Sequence, residues 1–202
     1  MISYQTTTPG GPLARVESET PQPQGSEVLV KMLACGVCHS DIHMHDGVFE
    51  LGGGKQLDVG QEGLVLGHEI FGEVVAVGSE AENVNVGDRR VVFPWIGCGE
   101  CASCKRGEEQ LCTPGRALGI VKAGGYADHV LVPHSRYLFD KGDTNDSLAA
   151  TYACSGLTAF GALKKAGELG EGDEIVIIGA GGVGMMAIQI ARAQGIDPIV
   201  VD

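Results

Sequence analysis

Short apolar segments bounded by Gly, Pro or Asp follow one another through about the first 140 residues of the chain. Their Val, Leu, Ile and aromatic content is typical of β-strands. Because no helical apolar period lies between them, they favour an antiparallel barrel or sandwich over βαβ units. Strands are predicted at residues 27–34, 70–77, 89–94 and 126–132. The glycine-rich stretch 50–67 is predicted to be a surface loop, with a mobile flap over a substrate pocket as the alternative.

The pattern changes near residue 146, where longer helical periods begin. A helix is predicted at residues 147–166, with Asp146 as its N-cap and with interruptions at Gly156 and Gly161. This change predicts two domains, residues 1–145 and 146–202.

A glycine turn lies inside the second predicted domain. It joins the first strand of a predicted βαβ unit to the helix. The first strand is predicted at residues 174–178, the helix at 185–193 and the second strand at 199–201. Gly179, Gly181 and Gly184 match the G-x-G-x-x-G pattern, which binds the pyrophosphate of a dinucleotide at the start of a helix. A glycine-rich packing turn is the alternative.

An acidic residue follows this turn at a suitable distance. Asp202 lies 23 residues after Gly179, close to the separation of about 20 at which a carboxylate accepts hydrogen bonds from the adenosine ribose. The carboxylate favours NAD over NADP, because it would repel a 2′-phosphate. The candidate coenzyme-binding residues of this segment are Gly179, Gly181, Gly182, Val183, Gly184 and Asp202.

Four of the seven cysteines are closely spaced. Cys98, Cys101, Cys104 and Cys112 form C-x2-C-x2-C-x7-C, a complete tetrahedral thiolate shell that suits a structural zinc ion. An iron–sulfur cluster or disulfides are alternatives, but the spacing matches neither common ferredoxin pattern, and no secretion signal opens the chain. Zinc is therefore favoured.

A second set of potential metal ligands is dispersed along the chain: Cys38, His68 with its neighbour Glu69, and Cys154. Two thiolates and an imidazole would hold zinc with a fourth position open to substrate. Taken singly, each thiol is also explained as a small buried apolar residue, and His68 as a hydrogen-bonded polar one. Spacing alone does not join the three.

The chain resembles the zinc-containing alcohol dehydrogenases of the medium-chain dehydrogenase/reductase superfamily over essentially its whole length. The motifs that carry this resemblance are Cys38-His39-Ser40-Asp41, Gly67-His68-Glu69, the four-cysteine segment, Cys154-Ser155-Gly156-Leu157-Thr158 and the glycine turn. The resemblance implies a mixed fold, in which an N-terminal GroES-like β-barrel catalytic domain is followed by the start of an α/β Rossmann coenzyme domain. It also implies that the chain is truncated relative to the family.

The resemblance assigns roles to the dispersed residues. Cys38, His68 and Cys154 would be ligands of a catalytic zinc, with Glu69 behind the metal and Asp41 orienting His68.

It assigns further roles around substrate and coenzyme. Ser40 would contact the substrate alcohol and His43 would end a proton relay. His39 would lie near the coenzyme pyrophosphate and Thr158 near the nicotinamide. Trp95 is interpreted either as a wall of the substrate pocket or as a core residue.

The function implied is zinc-dependent oxidation of an alcohol to an aldehyde or ketone, with hydride transfer to NAD and two zinc ions per chain, one catalytic and one structural. Polyol or formaldehyde dehydrogenation is the nearest alternative, and a catalytically inactive zinc-binding fragment is a further one.

Charge and composition limit the partners. The net charge is −12, from 14 basic and 26 acidic residues, and no basic run could follow a phosphate backbone. We therefore expect a small-molecule alcohol or aldehyde substrate, no nucleic acid and no membrane partner. A cytoplasmic location is expected, and the resemblance implies a homo-oligomer, either a dimer or a tetramer.

Overall fold

A computed structural model describes residues 1–167 and 173–202. The chain divides into two units, Met1–Ala150 and Thr151–Asp202, and each unit is described by itself. Among the described residues, no helix combines the length and the apolar character needed to cross a membrane.

The first unit is built mainly from short strands. Its strands are β1 Ile2–Gln5, β2 Ala14–Glu17, β3 Val28–Gly36, β4 Val48–Gly52, β5 Lys55–Asp58, β6 Glu69–Val77, β7 Arg89–Val92, β8 His129–Val132 and β9 Leu138–Phe139. Its helical segments are α1 His39–Asp46, α2 Ala102–Lys105 and two 3-10 turns at Glu109–Leu111 and Ser135–Tyr137. A helix α3 covers Asp146–Thr151.

The four predicted strands correspond to β3, β6, β7 and β8. They belong to one five-stranded sheet of order β8-β3-β6-β7-β9, in which every pairing is antiparallel, as the pattern predicted. Val28, Leu29 and Val30 at the start of β3 are all buried, whereas Lys31 is exposed. The core cluster on this sheet contains Val28, Val30, Ile70, Val74, Val92, Val130, Val132 and Tyr137.

The predicted loop at residues 50–67 is wrong over its first part. β4 and β5 form an antiparallel hairpin, and Gly53 and Gly54 are its two-residue turn, with φ of 58° and 75°. Two positive φ values in a two-residue turn match the right-handed twist of the flanking strands, and a Gly-Gly pair adopts them without strain. The mostly polar composition of β5 concealed the hairpin.

The second unit starts with a helical segment that changes its winding. Residues Tyr152–Gly156 form a π-helical turn, and α4 follows at Leu157–Ala166. The predicted break at Gly161 is wrong, because this glycine lies inside α4, where its cost is only about 1 kcal/mol relative to Ala. Asn145 rather than Asp146 caps the preceding helix, since its side chain accepts a hydrogen bond from Ser147 N at 2.9 Å.

The predicted βαβ unit is present. Strands β10 Val176–Ile178 and β11 Ile199–Val201 pair in parallel, with α5 Gly182–Ala193 between them in the chain. The helix starts at Gly182 and not at residue 185, because the glycine turn itself supplies its first residues.

Gly67 sets the direction of the chain just before β6. Its φ is +89°, and a Cβ at this position would lie 2.5 Å from the Tyr126 ring and 2.8 Å from the Cys35 sulfur. Only glycine meets both the backbone and the space requirement here.

We predict that Gly67→Ala lowers the free energy of unfolding of the first unit by about 2–4 kcal/mol, since it adds both left-handed strain and overpacking. Urea denaturation measures the change. Gly87→Ala is the matched control, because Gly87 has φ +94° but nothing within 4 Å, and it should cost only the strain of about 1–2 kcal/mol. Equal losses in the two variants would show that the close approach at Gly67 has no energetic weight.

Candidate functional site

Helix α1 carries four of the predicted site residues and places Cys38 at its N-cap. Cys38 has extended backbone angles of −94° and 153°. Its N–H donates to Asp41 Oδ2 at 2.9 Å, so that the third residue of the helix closes back on the cap. The helix ends at Gly47, whose φ of 82° is the left-handed conformation common after a helix.

The Asp41 carboxylate is nearly inaccessible to solvent and holds His68. Its Oδ1 lies 3.2 Å from His68 Nδ1, and the two side chains are 2% and 1% exposed. A proton on Nδ1 satisfies this contact and leaves Nε2 as the basic nitrogen of the ring. Among the described residues, no hydrogen-bond partner reaches Nε2, although it is buried. A buried, unpartnered imidazole nitrogen is what a metal ligand requires.

Cys38 provides a second donor at the same place. Its sulfur and a ring nitrogen of His68 lie within 4.8 Å of each other, which is compatible with one metal ion between them. Glu69, the first residue of β6, follows His68 in the chain and is buried. Its carboxylate packs against Gly36, where an added Cβ would overlap it.

Protonation at this site reflects burial and neighbouring charges. Burial opposes the charged form of His68, but its interactions with Asp41 and Cys38 outweigh this and raise its pKa to about 9. Burial likewise would raise the pKa of Asp41, yet the hydrogen bond from His68 and those from Cys38 and Gly67 lower it overall. Burial raises the pKa of Cys35 to about 12, so this neighbouring thiol stays protonated.

The other predicted residues of α1 lie on one side of the helix. Ser40 and His43 are three residues apart, the spacing at which helical side chains are neighbours. Both are half-buried, and the His43 ring stacks on His39, with ring centroids 4.8 Å apart. Trp95 packs near His68, with ring centroids 5.9 Å apart, so it lies beside the candidate site.

The four-cysteine segment forms a compact lobe. The sulfur atoms of Cys98, Cys101, Cys104 and Cys112 all lie within 4.8 Å of one another. Cys101 caps α2 and accepts from Cys104 N at 3.5 Å, and Cys98 accepts from Cys101 N at 3.3 Å. The lobe therefore presents a closed four-sulfur shell.

Backbone N–H groups tune the charge of these thiols. Hydrogen bonds from the backbone of Glu100 and Cys101 lower the pKa of Cys98 to about 6, and the Cys104 N–H lowers that of Cys101. Burial raises the pKa of Cys104. The pKa of Cys112 is raised as well, so two thiols that ionise readily lie next to two that resist ionisation, and the four form one set of interacting groups.

Sequence reasoning missed the anchor of this lobe, Glu109. Its carboxylate accepts from Gly97 N at 2.9 Å and from the Tyr137 hydroxyl at 2.5 Å, and lies 3.0 Å from Arg136. Burial would raise the pKa of Glu109, but the Tyr137 and Gly97 hydrogen bonds and the Arg136 charge lower it overall. The Glu109 side chain is 19% exposed and that of the adjacent Glu108 is 43% exposed, a difference that the sequence does not reveal.

In the second unit, Cys154 lies within the π-helical turn and is buried. The turn begins beside Thr151, whose carbonyl accepts a hydrogen bond from the Ser155 hydroxyl at 2.9 Å. Such turns inside helices occur often at functional sites. Thr158 is exposed on α4.

The glycine turn of the second unit has the geometry of its motif. Gly179 has φ of 95°, Gly181 is the N-cap of α5, and a Cβ on Gly184 would overlap the Gly179 carbonyl oxygen. The Asp202 carboxylate accepts from Ala180 N at 2.9 Å, which joins the acid to the turn. Gly182 opens α5, and Val183 in its first turn is exposed.

A cavity of about 580 Å³ lies elsewhere in the first unit, and none of the predicted site residues lines it. Ile96, Leu118 and Leu131 contribute to its walls. It is therefore not the candidate site.

Comparison with known proteins decides the family. Residues 24–143 match the alcohol dehydrogenase GroES-like domain, which is more than half of the chain. The chain belongs to the zinc-containing alcohol dehydrogenases of the medium-chain dehydrogenase/reductase superfamily. The predicted GroES-like character of the first domain is thereby confirmed.

Individual relatives support this family assignment. The chain is 45% identical to an NAD-dependent alcohol dehydrogenase of Sulfurisphaera tokodaii over 188 residues, which is 91% of this chain and 53% of that protein. It is 43% identical, with the same coverage, to an NAD-dependent alcohol dehydrogenase of Saccharolobus solfataricus. Among solved structures, a cobalt- and zinc-bound thermostable alcohol dehydrogenase of Pyrobaculum aerophilum is similar with a TM-score of 0.83 and 31% identity, over 100% of this chain and 59% of that one.

The chain thus spans about half the length of the curated relatives it matches. The two archaeal relatives are named NAD-dependent alcohol dehydrogenases, and the solved Pyrobaculum aerophilum structure holds cobalt and zinc.

We predict that Glu109→Gln lowers the free energy of unfolding by about 1–3 kcal/mol, because hydrogen bonds to a charged acceptor are replaced by weaker ones. Chemical denaturation at neutral pH measures the loss. Glu108→Gln is the control, since Glu108 pairs with exposed Arg106 and its loss should change stability by less than about 0.5 kcal/mol. A loss at Glu108 as large as that at Glu109 would contradict the anchoring role.

Proposed function

We propose that this protein oxidises a small alcohol to an aldehyde or ketone, with zinc and NAD as cofactors. The observation that carries the proposal is the buried, unpartnered Nε2 of His68 close to the Cys38 sulfur. The proposed domain boundaries remain those of the sequence, residues 1–145 for the catalytic domain and 146–202 for the start of a Rossmann coenzyme domain.

The zinc ligands follow from the chemistry of these donors. Cys38 and His68 would hold the catalytic zinc together with Cys154, with Glu69 behind the metal, and the four-cysteine lobe would hold a structural zinc. The resemblance to the family and the burial of the Cys154 thiol support the third ligand. When bound, the metal supplies a Lewis acid for the alcohol oxygen, and NAD supplies the hydride acceptor.

The protein would also remove a proton from the alcohol. Ser40 and His43 share one side of α1, so the Ser40 hydroxyl would receive the proton near the substrate and His43 would pass it to solvent. The half-buried position of both groups suits this path. Trp95, next to the ligand histidine, would form a wall of the substrate pocket.

The resemblance to the family also suggests which residues would contact the coenzyme. In the first unit, exposed His39 would lie near the coenzyme pyrophosphate. In the second, the N–H groups at the start of α5 would receive the pyrophosphate, Asp202 would accept the ribose hydroxyls, and Thr158 would lie near the nicotinamide. The close packing at Gly184 and the hydrogen bond from Ala180 N to Asp202 support this assignment.

We predict that the purified protein binds two zinc ions and that Cys38→Ser retains only one, because the closed lobe is unaffected. Elemental analysis after dialysis gives the count, and an alcohol panel with NAD gives activity, which should be lost. Cys35→Ala is the control, since this nearby thiol is outside both metal sets and the variant should retain two ions.

One zinc ion in the unsubstituted protein, with no NADH binding, would favour a zinc-binding module over an enzyme. Oxidation restricted to polyols or to hydrated formaldehyde would assign the same chemistry to a different substrate class.

We predict that Asp202→Asn narrows the preference for NADH over NADPH by about tenfold, equivalent to roughly 1.4 kcal/mol, because it removes a negative charge that opposes the 2′-phosphate. Fluorescence titration with each coenzyme measures the ratio. Asp197→Asn is the control, as this acid is exposed and pairs with Arg192 away from the glycine turn. An unchanged ratio in the Asp202 variant would remove that residue from the coenzyme site.

A further inference from the structure

The Asp41 carboxylate receives four hydrogen bonds, and they come from three segments of the chain. Oδ1 accepts from Gly67 N at 3.1 Å and from His68 Nδ1 at 3.2 Å. Oδ2 accepts from Cys38 N at 2.9 Å and from the Tyr126 hydroxyl at 3.2 Å. A carboxylate offers about four acceptor positions, so all of them are used.

Three of these donors belong to the proposed ligands or to the residue next to one. The fourth, Tyr126, lies 85 residues away from Asp41 in the chain and belongs to none of the predicted site motifs. It is therefore the one contact that holds the carboxylate from outside the metal-binding segments.

The backbone fixes the position of Tyr126. Gly124 N donates to Val65 O at 2.8 Å, Gly125 N to Gly67 O at 2.7 Å, and Tyr126 N to Leu66 O at 3.0 Å. Residues 124–126 are thus bonded along the three residues that precede His68. The Tyr126 ring also lies against Gly67, where a Cβ would come within 2.5 Å.

Packing alone does not explain the hydroxyl. The ring packs against the apolar cluster of Met44, Leu64 and Leu66, where a phenylalanine ring would serve equally well. The hydroxyl instead meets a buried anion, and hydrogen bonds to charged groups are the strong ones. Burial, with the nearby charge of Asp41, raises the pKa of Tyr126, so the group remains a donor.

We propose that Tyr126 is a positioning residue of the metal site, which holds Asp41 so that His68 keeps its proton on Nδ1 and directs Nε2 to the metal. The proposal rests on the zinc site proposed above. Without the hydroxyl, Oδ2 retains a single donor, and the carboxylate is less constrained against the imidazole. Groups behind metal ligands typically alter metal affinity 10- to 100-fold, and Tyr126 acts one bond further out, so about tenfold is expected.

The test is a titration of the metal-free protein with cobalt(II), in which the visible absorption of the bound cobalt is measured. Each titration is paired with one in a Cys38→Ala background, and the difference isolates the open site from the four-cysteine lobe. Tyr126→Phe should weaken this site about tenfold and change its absorption spectrum. Tyr4→Phe is the matched control, because Tyr4 is an exposed tyrosine in the adjoining strand and should leave both unchanged.

A double variant separates positioning from a general loss of structure. If Tyr126 acts through Asp41, Tyr126→Phe should add nothing to the weakening caused by Asp41→Asn. Thermal melting of each metal-free variant checks folding. If Tyr126→Phe does not fold, Asp41→Asn tests the contact with His68 through which Tyr126 would act, and an unchanged cobalt affinity in that variant would overturn the proposal.

If Tyr126→Phe leaves the cobalt affinity and the absorption spectrum unchanged, the positioning role is overturned and the proposed function remains intact. Fully additive losses in the double variant would also overturn it. If the unsubstituted protein shows no cobalt binding that depends on Cys38, the proposed function fails as well as this inference.

Discussion

A buried carboxylate with four donors is the constraint on which the first unit's site depends. Asp41 is almost inaccessible, and a buried anion without hydrogen bonds would cost several kcal/mol. Its donors come from the start of α1, from the two residues before β6 and from Tyr126. Satisfying the carboxylate therefore brings these segments together and also orients the imidazole of His68. The same contacts stabilise the fold and would orient the donors of the proposed metal site.

The two sulfur-containing sites are organised on different length scales. The lobe of residues 98–112 closes on itself through a short helix and N–H···S hydrogen bonds, and Glu109 ties it to Tyr137. The open site depends on contacts between residues far apart in the chain. A closed shell suits a structural role, whereas a site held by distant segments can leave one side free for substrate. The fold therefore separates the proposed stabilising and reactive roles.

Local patterns predicted much of the fold. The apolar content of β3 and β6, the parallel pair around α5 and the glycine turn were all predicted from the sequence, because each is set by residues a few positions apart. The hairpin at residues 48–58 was not predicted, because its second strand, β5, has little apolar character. The break expected at Gly161 did not occur, because one glycine costs less than the packing of a helix gains.

The sequence by itself determined the strand pattern, the four-cysteine lobe and the glycine turn with its acidic partner, and family resemblance added the dispersed ligands. Only the tertiary structure decided that Tyr126 reaches Asp41 and that Glu109 anchors the lobe through Tyr137. Hydrogen bonds between residues tens of positions apart leave no periodic or spacing signal, because nothing local requires those residue types. They exist because a buried charged group must find its donors wherever the fold brings them.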